Sequence, residues 1–318
     1  MAEAESDKPV ARFVTVGPES AGQRIDNFLH SELKGAPKSL VYRILRTGEV
    51  RVNKGRAKPD MRIALGDVVR IPPLRLSEEL PVRVGAGLES TLRQAVVHED
   101  AHLLIIDKPA GIAVHAGTGV KVGMIEALRV MWPETPALEL AHRLDRETSG
   151  LLVLAKDRPT LLELHELLRS DDTRGERVKK SYLALVRGSF PDELREVAAP
   201  LEKNTLRGGE RLVEVRGDGK PSRTLFRVVR RFAEATLVEA SPITGRTHQI
   251  RVHAAYVGHP IAGDDKYGDA AFDRALRVHG LTRLFLHAAR IELPGRRKFE
   301  AALPDELARV LEQLETAR

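Results

Sequence analysis

The chain has 318 residues, 42% of them hydrophobic and 30% charged, with a formal net charge of +6 and no cysteine. That length suggests two domains with ample buried cores, and the lack of cysteine excludes disulfides, thiolate nucleophiles and cysteine-ligated zinc. No run nears the roughly 18 apolar residues of a membrane span, and the N-terminal MAEAESDKPVAR carries Glu3, Glu5 and Asp7 where a signal peptide is basic and then apolar, so a cytoplasmic protein with no membrane contact is expected.

Residues 1–10 are expected to be a disordered N-terminus and residues 11–73 a first, small α+β module. Ile25, Phe28, Leu29 and Leu33 recur at helical spacing, as do Leu40, Val41, Ile44 and Leu45, and Gly48 stands where a C-cap glycine belongs. After these two short helices Val50 and Val52 alternate with charge, and Val69 and Ile71 do so again after the Gly66-Asp67 turn, which predicts two or more short strands. Between Lys34 and Arg62 nine basic residues face two acidic ones, a local excess of seven that exceeds the net charge of the whole chain. Lys38, Arg43, Arg46, Arg51, Lys54 and Arg56 belong to this cluster. On helix 2 and the strand and loop after it they can form a phosphate-tracking surface, with a merely solvated basic face as the plain alternative.

Pro72 and Pro73 end the first module, and residues 74–90, punctuated by Pro81, Gly85 and Gly87, read as a linker. Residues 91–318 read as one larger domain, a mixed or antiparallel sheet with peripheral helices. Its short apolar runs are Leu103 to Ile106, Leu151 to Leu154, Tyr182 to Val186, Thr236 to Glu239 and Leu284 to His287. Helical spacing marks Leu161, Leu164, Leu167 and Leu168, then Ile250 to Val257, then Leu307, Val310, Leu311 and Leu314. Arg169 to Lys180 is polar enough to be a mobile loop.

Two segments are dense in functional groups. The first, Ala141 to Gly150, holds His142, Arg143, Asp145, Arg146 and Glu147 just before a strand that can present a loop rigidly. A carboxylate with basic residues on both sides is expected to be ionised at neutral pH, suited to act as nucleophile or base, although alone it reads as a salt-bridged surface residue. The second, Thr244 to His253, enters a helix after a strand and offers Arg251 as the partner of Asp145. His248 and His253 lie five apart, which does not suit two metal ligands on one helix face, so they read as hydrogen-bonding residues and no metal is expected. Tyr182, beside Lys180 and Ser181, reads either as core packing or as a platform for a stacked base.

Taken together, His142-Arg143-Leu144-Asp145 with Thr148-Ser149-Gly150-Leu151, Lys180-Ser181-Tyr182-Leu183-Ala184, and Gly245-Arg246-Thr247-His248-Gln249-Ile250-Arg251 resemble the ordered motifs of the RluA family of pseudouridine synthases. The first module resembles an S4 RNA-binding domain, and Val41 to Lys54 is most similar to the large-subunit ribosomal RNA subgroup. Lys108-Pro109-Ala110-Gly111 and Gly263 to Gly268 also resemble family features, read as turns that shape the cleft, whereas Asp171 to Arg177 is where the alignment is loosest. The resemblance implies an isomerase that converts uridines of large-subunit ribosomal RNA, free or in an assembling particle, without cofactor or metal and as a monomer. It assigns Asp145 as the catalytic carboxylate attacking C6 of the base or C1′ of the ribose, Arg251 as its basic partner, and Tyr182 as the aromatic that stacks on the target base and helps to remove the C5 proton. Ile250 would wall the base pocket, Arg143 would fill the space left by a flipped base, and His142 and Lys180 would stand beside the substrate, His142 mainly as a structural residue. Three rivals are a synthase for another RNA, an inactive S4-type assembly factor, and a hydrolase of glycosidic bonds using Asp145 and Glu147.

Overall fold

The computed structural model describes residues 10–33, 36, 38–74, 84–116, 122–169, 177–193, 196–205, 211–295 and 297–316. The chain divides into two compact units, Met1–Val82 and Arg83–Arg318.

In the first unit the chain runs β1 (Arg12–Thr15), α1 (Ile25–Glu32), α2 (Lys38–Arg46), β2 (Arg51–Val52), β3 (Gly55–Arg56) and β4 (Val68–Ile71). The apolar residues with helical spacing are the ones that bury: Ile25, Phe28, Leu29, Val41, Ile44 and Leu45 close on Val50, Val52, Val69 and Ile71. Each such aliphatic side chain contributes about 1.5–3 kcal/mol relative to exposure. Gly48 has φ +76°, the left-handed conformation expected just past the end of α2. The antiparallel sheet has the order β1-β4-β2-β3. Because directly opposed residues share a face, Val14, Val69 and Val52 line its inner side and Phe13, Arg70, Arg51 and Arg56 form one cross-strand row on its outer side. The strand β1 was not legible as periodicity, since three of its four residues are exposed.

The second unit begins with α3 (Ala86–Gln94), which starts inside the segment expected as linker, followed by β5 (Val96–Glu99), β6 (Leu103–Lys108), α4 (Met124–Met131), β7 (Glu139–Leu140) and β8 (Ser149–Ala155). Next come α5 (Arg158–Arg169), β9 (Lys179–Arg187), β10 (Glu196–Ala198), β11 (Leu201–Thr205), β12 (Arg211–Val215), β13 (Arg223–Arg231) and β14 (Ala235–Pro242). The chain closes with α6 (Gln249–Tyr256), α7 (Ala270–Arg277), β15 (Leu286–Glu292), β16 (Lys298–Glu300) and α8 (Asp305–Thr316). The expected loop from Arg169 to Lys180 is shorter than read, because Arg169 ends α5 and Lys179 and Lys180 open β9; residues 170–176 lie outside the described ones.

Ten strands build one mixed sheet, ordered β10-β13-β14-β9-β15-β8-β6-β5, with β16 on β15 and β7 on β8, while β11 and β12 form a separate hairpin. All seven residues of β8 are buried, as suits a strand at the middle of a covered sheet. Its second residue, Gly150, has φ +110°, and a Cβ there would lie 2.4 Å from the Ala288 carbonyl oxygen, so only glycine lets β8 and β15 approach. The loop that precedes β8 carries Asp145.

Candidate active site

Residues 141–148 leave β7 and return into β8, and several bonds hold this loop in place. The Ala141 N–H donates to the Val153 carbonyl (3.0 Å), and the Val153 N–H donates to His142 Nε2 (3.2 Å). Lys108, fully buried at the end of β6, spends its three ammonium hydrogens on the carbonyls of Pro109 (2.8 Å), Ile112 (3.1 Å) and Arg146 (3.0 Å). The Gly111 N–H also donates to the Arg146 carbonyl (2.8 Å), and Arg146 Nε returns a bond to the Gly111 carbonyl (2.9 Å). The turn Lys108 to Ile112 therefore clamps the chain one residue beyond Asp145. Burial lowers the Lys108 pKa to about 7.

Asp145 stands on the wall of a cavity of about 400 Å³, a size suited to a small organic ligand or a single nucleoside. His142, Arg143, Lys180, Tyr182, Ile250 and Arg251 line the same cavity, so the fold gathers every second-unit residue to which the family resemblance gives a role. Tyr182 and Lys180 come from β9, Ile250 and Arg251 from the first turn of α6, and His142 and Arg143 from the loop itself. Glu147, the second carboxylate of the hydrolase reading, does not line the cavity and lies 3.5 Å from Arg146 Nε.

The basic partner is placed by groups other than Asp145. Arg251, 4% exposed, donates through Nε and Nη2 to the two oxygens of Asp264 (2.7 and 2.6 Å), and Nη2 also meets Asp265 (2.9 Å). Its remaining nitrogen, Nη1, lies 3.6 Å from Asp145 Oδ2. A bidentate guanidinium–carboxylate pair fixes orientation as well as charge, so Asp264 aims Arg251 at Asp145. Burial opposes the charge of Arg251, but the Asp264 bonds and the other carboxylates outweigh it and raise its pKa. Asp264 was missed as a functional residue because in sequence it belongs to an acidic turn; its side chain is completely buried.

His248 was read only as a hydrogen-bonding residue, and the fold brings it to the same oxygen: Nε2 lies 3.8 Å from Asp145 Oδ2 and Nδ1 is 2.8 Å from the Tyr267 hydroxyl. His253 is buried away from Asp145 and hydrogen-bonds as expected, to Thr224 Oγ1 (2.8 Å) and the Ala199 carbonyl (3.0 Å). Among the described residues no group of three or more His, Cys, Asp or Glu is placed to hold a metal ion. Burial, and secondarily the charge of Asp145, pushes the Tyr182 hydroxyl well above its ordinary pKa, so it keeps its proton at neutral pH.

Two other histidines carry a consequence for pH. Burial and the Lys180 charge lower His142 to about 3, and burial lowers His287 to about 4 despite its bond to the Ala301 carbonyl. The unfolded chain protonates each near 6.5 while the folded chain does not, so this stability is complete above 6.5 and is lost as pH falls toward 4. The expected loss is about 1.4 kcal/mol per pH unit for each imidazole inside that window. Melting temperature between pH 7 and 4.5 should fall steadily, and His287→Gln should flatten the slope; equal slopes in both proteins would rule out a contribution from His287.

In the first unit Arg43, Arg46, Arg51, Lys54 and Arg56 are all exposed, and the Lys38 side chain lies outside the described ones. Arg56 donates to the Arg46 carbonyl (2.5 Å), Arg51 to the Lys54 carbonyl (3.3 Å) and Arg70 to the Glu49 carbonyl (2.8 Å). These bonds use backbone oxygens, which carry no full negative charge. Arg70 and the exposed Phe13 join the row only through strand register, which the sequence reading did not reach.

Comparison with known proteins agrees with this geometry. Residues 102–256 match the family model described as RNA pseudouridylate synthase, and residues 23–69 match the S4 domain. The chain is 51% identical to ribosomal large subunit pseudouridine synthase C of Yersinia pestis over 96% of this chain and 97% of that protein. It is 50% identical to the protein of the same name from Escherichia coli (strain K12), over 99% and 100%. Among solved structures, Human RNA Pseudouridylate Synthase Domain Containing 4 superposes with a TM-score of 0.57 at 29% identity, covering 72% of this chain and 96% of that one. Human RNA Pseudouridylate Synthase Domain Containing 1 follows with a TM-score of 0.53 at 25% identity, covering 70% and 93%. The mixed sheet that carries Asp145 before its central strand is thus the pseudouridine synthase fold, and the chain belongs to the RNA pseudouridylate synthase family, with an S4 domain at its N-terminal end.

Proposed function

We propose that this synthase isomerises specific uridines of large-subunit (23S) ribosomal RNA to pseudouridine, with Asp145 as its essential carboxylate. The observation that carries the reading is the convergence of Arg251 and His248 on one oxygen of Asp145 inside a nucleoside-sized cavity walled by Tyr182 and Ile250. The near-full-length identity to proteins named for the large ribosomal subunit supports the choice of RNA. Asp145 attacks at C6 of the base or C1′ of the ribose, the N1–C1′ bond breaks, the uracil turns and rejoins through C5, and the bond to Asp145 breaks to free the carboxylate. The C5 proton leaves and N1 gains one, so the product is an isomer and the balance needs no oxidant or reductant.

Arg251, 3.6 Å away, orients Asp145. Tyr182 supplies a stacking surface and a hydrogen-bond donor; its raised pKa argues against a phenolate that removes the C5 proton. Arg143, exposed at the cavity rim, enters the helix gap left by the flipped nucleotide, offsetting an unstacking cost on the order of a few kcal/mol. His142 secures the loop through Val153, and Lys180 offers a half-buried cation beside Gly245 for a substrate oxygen. The S4 unit, taken as residues 11–73, holds RNA through Arg43, Arg46, Arg51, Lys54 and Arg56, with Lys38 on the same helix. The protein works in the cytoplasm as a monomer, on free RNA or an assembling particle; no helix among the described residues is long and apolar enough to cross a membrane.

The test is tritium release from large-subunit ribosomal RNA transcribed with 5-tritiated uridine. Release, followed by mapping of pseudouridine in that RNA, is expected; none from either free RNA or assembly intermediates would sink the reading. Replacing Arg43 and Arg46 together by Ala should weaken RNA binding and make its logarithmic salt slope shallower by roughly 1.4–1.8, since each lost phosphate contact removes about 0.7–0.9. An unchanged slope would remove α2 from the RNA surface.

A further inference from the structure

His248 sits in a costly backbone conformation for a residue with a side chain, φ +53° and ψ 18°, at the first position before α6, and its side chain makes no capping bond to the helix. Strain of this kind persists where surrounding contacts hold it. Here those contacts come from Tyr267, whose ring meets His248 edge-on at 5.6 Å and whose hydroxyl lies 2.8 Å from Nδ1.

The hydrogen on that hydroxyl can be located by elimination. The Val213 N–H, on β12, donates to Tyr267 Oη at 2.9 Å, so the oxygen is already an acceptor there. The oxygen has a second lone pair, but accepting from an Nδ1–H as well would leave the phenol's single hydrogen without an acceptor among the described contacts of Tyr267; pointed at His248 Nδ1 it is satisfied. Nδ1 is then an acceptor, and the neutral ring carries its own hydrogen on Nε2, the nitrogen that faces Asp145 Oδ2 at 3.8 Å. The opposite tautomer would turn a lone pair toward the carboxylate. Burial, with Arg251 adding to it and Asp145 opposing, lowers the His248 pKa and favours the neutral ring.

Both supports of Asp145 start from one turn. Asp264 aligns Arg251, and the Tyr267 N–H donates to Asp264 Oδ1 (3.0 Å), while the Tyr267 ring lies 5.2 Å from the Arg251 guanidinium carbon. Arg251 and His248 end on the same oxygen, Oδ2. We propose that Tyr267 and His248 are positioning residues for the isomerisation: Tyr267 locks His248 as the Nε2–H tautomer, and this donor, with Arg251, holds Oδ2 so that Oδ1 meets the nucleoside. The His–Asp separation closes to a hydrogen bond when substrate fills the cavity, as catalytic contacts in unliganded sites commonly do. The proposal rests on the role of Asp145 given above.

The experiment is a double-substitution cycle read by single-turnover tritium release, with Asp145→Asn as the reference for the underlying reading. Glutamine has a fixed N–H donor near the position of Nε2 and no tautomer to choose. His248→Gln should therefore lose only a few-fold in rate, and His248→Ala about tenfold or more. Tyr267→Phe should slow the unsubstituted protein about tenfold at unchanged RNA affinity, and should cost nothing further in the His248→Gln background. In nitrogen-15 spectra, Nδ1 of His248 should resonate as an unprotonated nitrogen in the unsubstituted protein and as a tautomer mixture in Tyr267→Phe. If Tyr267→Phe does not fold, the comparison of His248→Gln with His248→Ala and the spectrum of the unsubstituted protein carry the test. Equal losses from Tyr267→Phe in both backgrounds, equal losses for Gln and Ala, or a protonated Nδ1 would overturn the proposal. Tritium release that Asp145→Asn leaves unaffected would instead remove the reading beneath it.

Discussion

Asp145→Asn is expected to bind large-subunit RNA like the unsubstituted protein and to release tritium from 5-tritiated uridine on the order of 10⁴–10⁶-fold more slowly, the scale seen when a nucleophile is removed. The substitution is nearly isosteric, and the loop that holds the position is built from Lys108, Gly111, His142 and Val153, none of which bonds the Asp145 side chain. What changes is charge. An amide is a poor nucleophile, although its oxygen can still face Arg251 Nη1, which lies 3.6 Å from Asp145 Oδ2. Binding by filter retention and turnover by tritium release separate the two effects. Loss of binding in parallel with turnover would make Asp145 a positioning group and move the chemistry elsewhere in the cavity.

Asp264→Ala is expected to destabilise the second unit by about 3–5 kcal/mol, because it strands a buried guanidinium without its bidentate partner. For a unit of this size that corresponds to a melting temperature lower by roughly 6–20 °C. Asp265 keeps one contact to Arg251 but is 70% exposed, so solvent screens it. The Asp264 carboxylate also accepts the Lys266 and Tyr267 N–H groups, so the turn loosens together with the ion pair. Asp264→Asn retains those two acceptor bonds and should lie between. A loss under about 1 kcal/mol in Asp264→Ala would mean that Asp265 and Asp145 suffice for Arg251.

The helices and inner strands were legible because their apolar residues obey a period. Ile25, Phe28 and Leu29 or Leu161 and Leu164 can bury only as helical stripes, and the continuous run at Leu151 to Leu154 only as a covered strand. Elements whose charges mask the pattern were not legible. In β13 the sequence RTLFRVVRR carries as many arginines as apolar residues, yet Thr224 and Phe226 are buried while Arg223, Arg227 and Arg230 are exposed. The helix α3 was concealed by Gly85 and Gly87, which read as breakers but serve as its start.

The candidate site divides in the same way. Asp145, Tyr182 and Arg251 lie within short ordered motifs and were found there. Asp264, Tyr267 and the role of His248 depend on how the chain after α6 folds back over it, and residue spacing does not encode that return. Arg251 to Asp145 looked like a direct pair; the structure makes it the outer end of a bond network anchored on Asp264.

The parallel pairing of β8 with β15 also bears on how the protein is made. Ser149 and His287 are joined through Oγ and Nδ1 at 3.0 Å across 138 residues of chain, and β15 fills the space between β8 and β9. Contacts that distant in sequence pay a large loop-closure cost and form slowly. The strand that seats Asp145 must therefore wait for β15 to leave the ribosome, whereas every strand of the first unit has been synthesised by Ile71. Units fold in order of synthesis, so a nascent chain acquires its basic surface long before it acquires a working catalytic cavity.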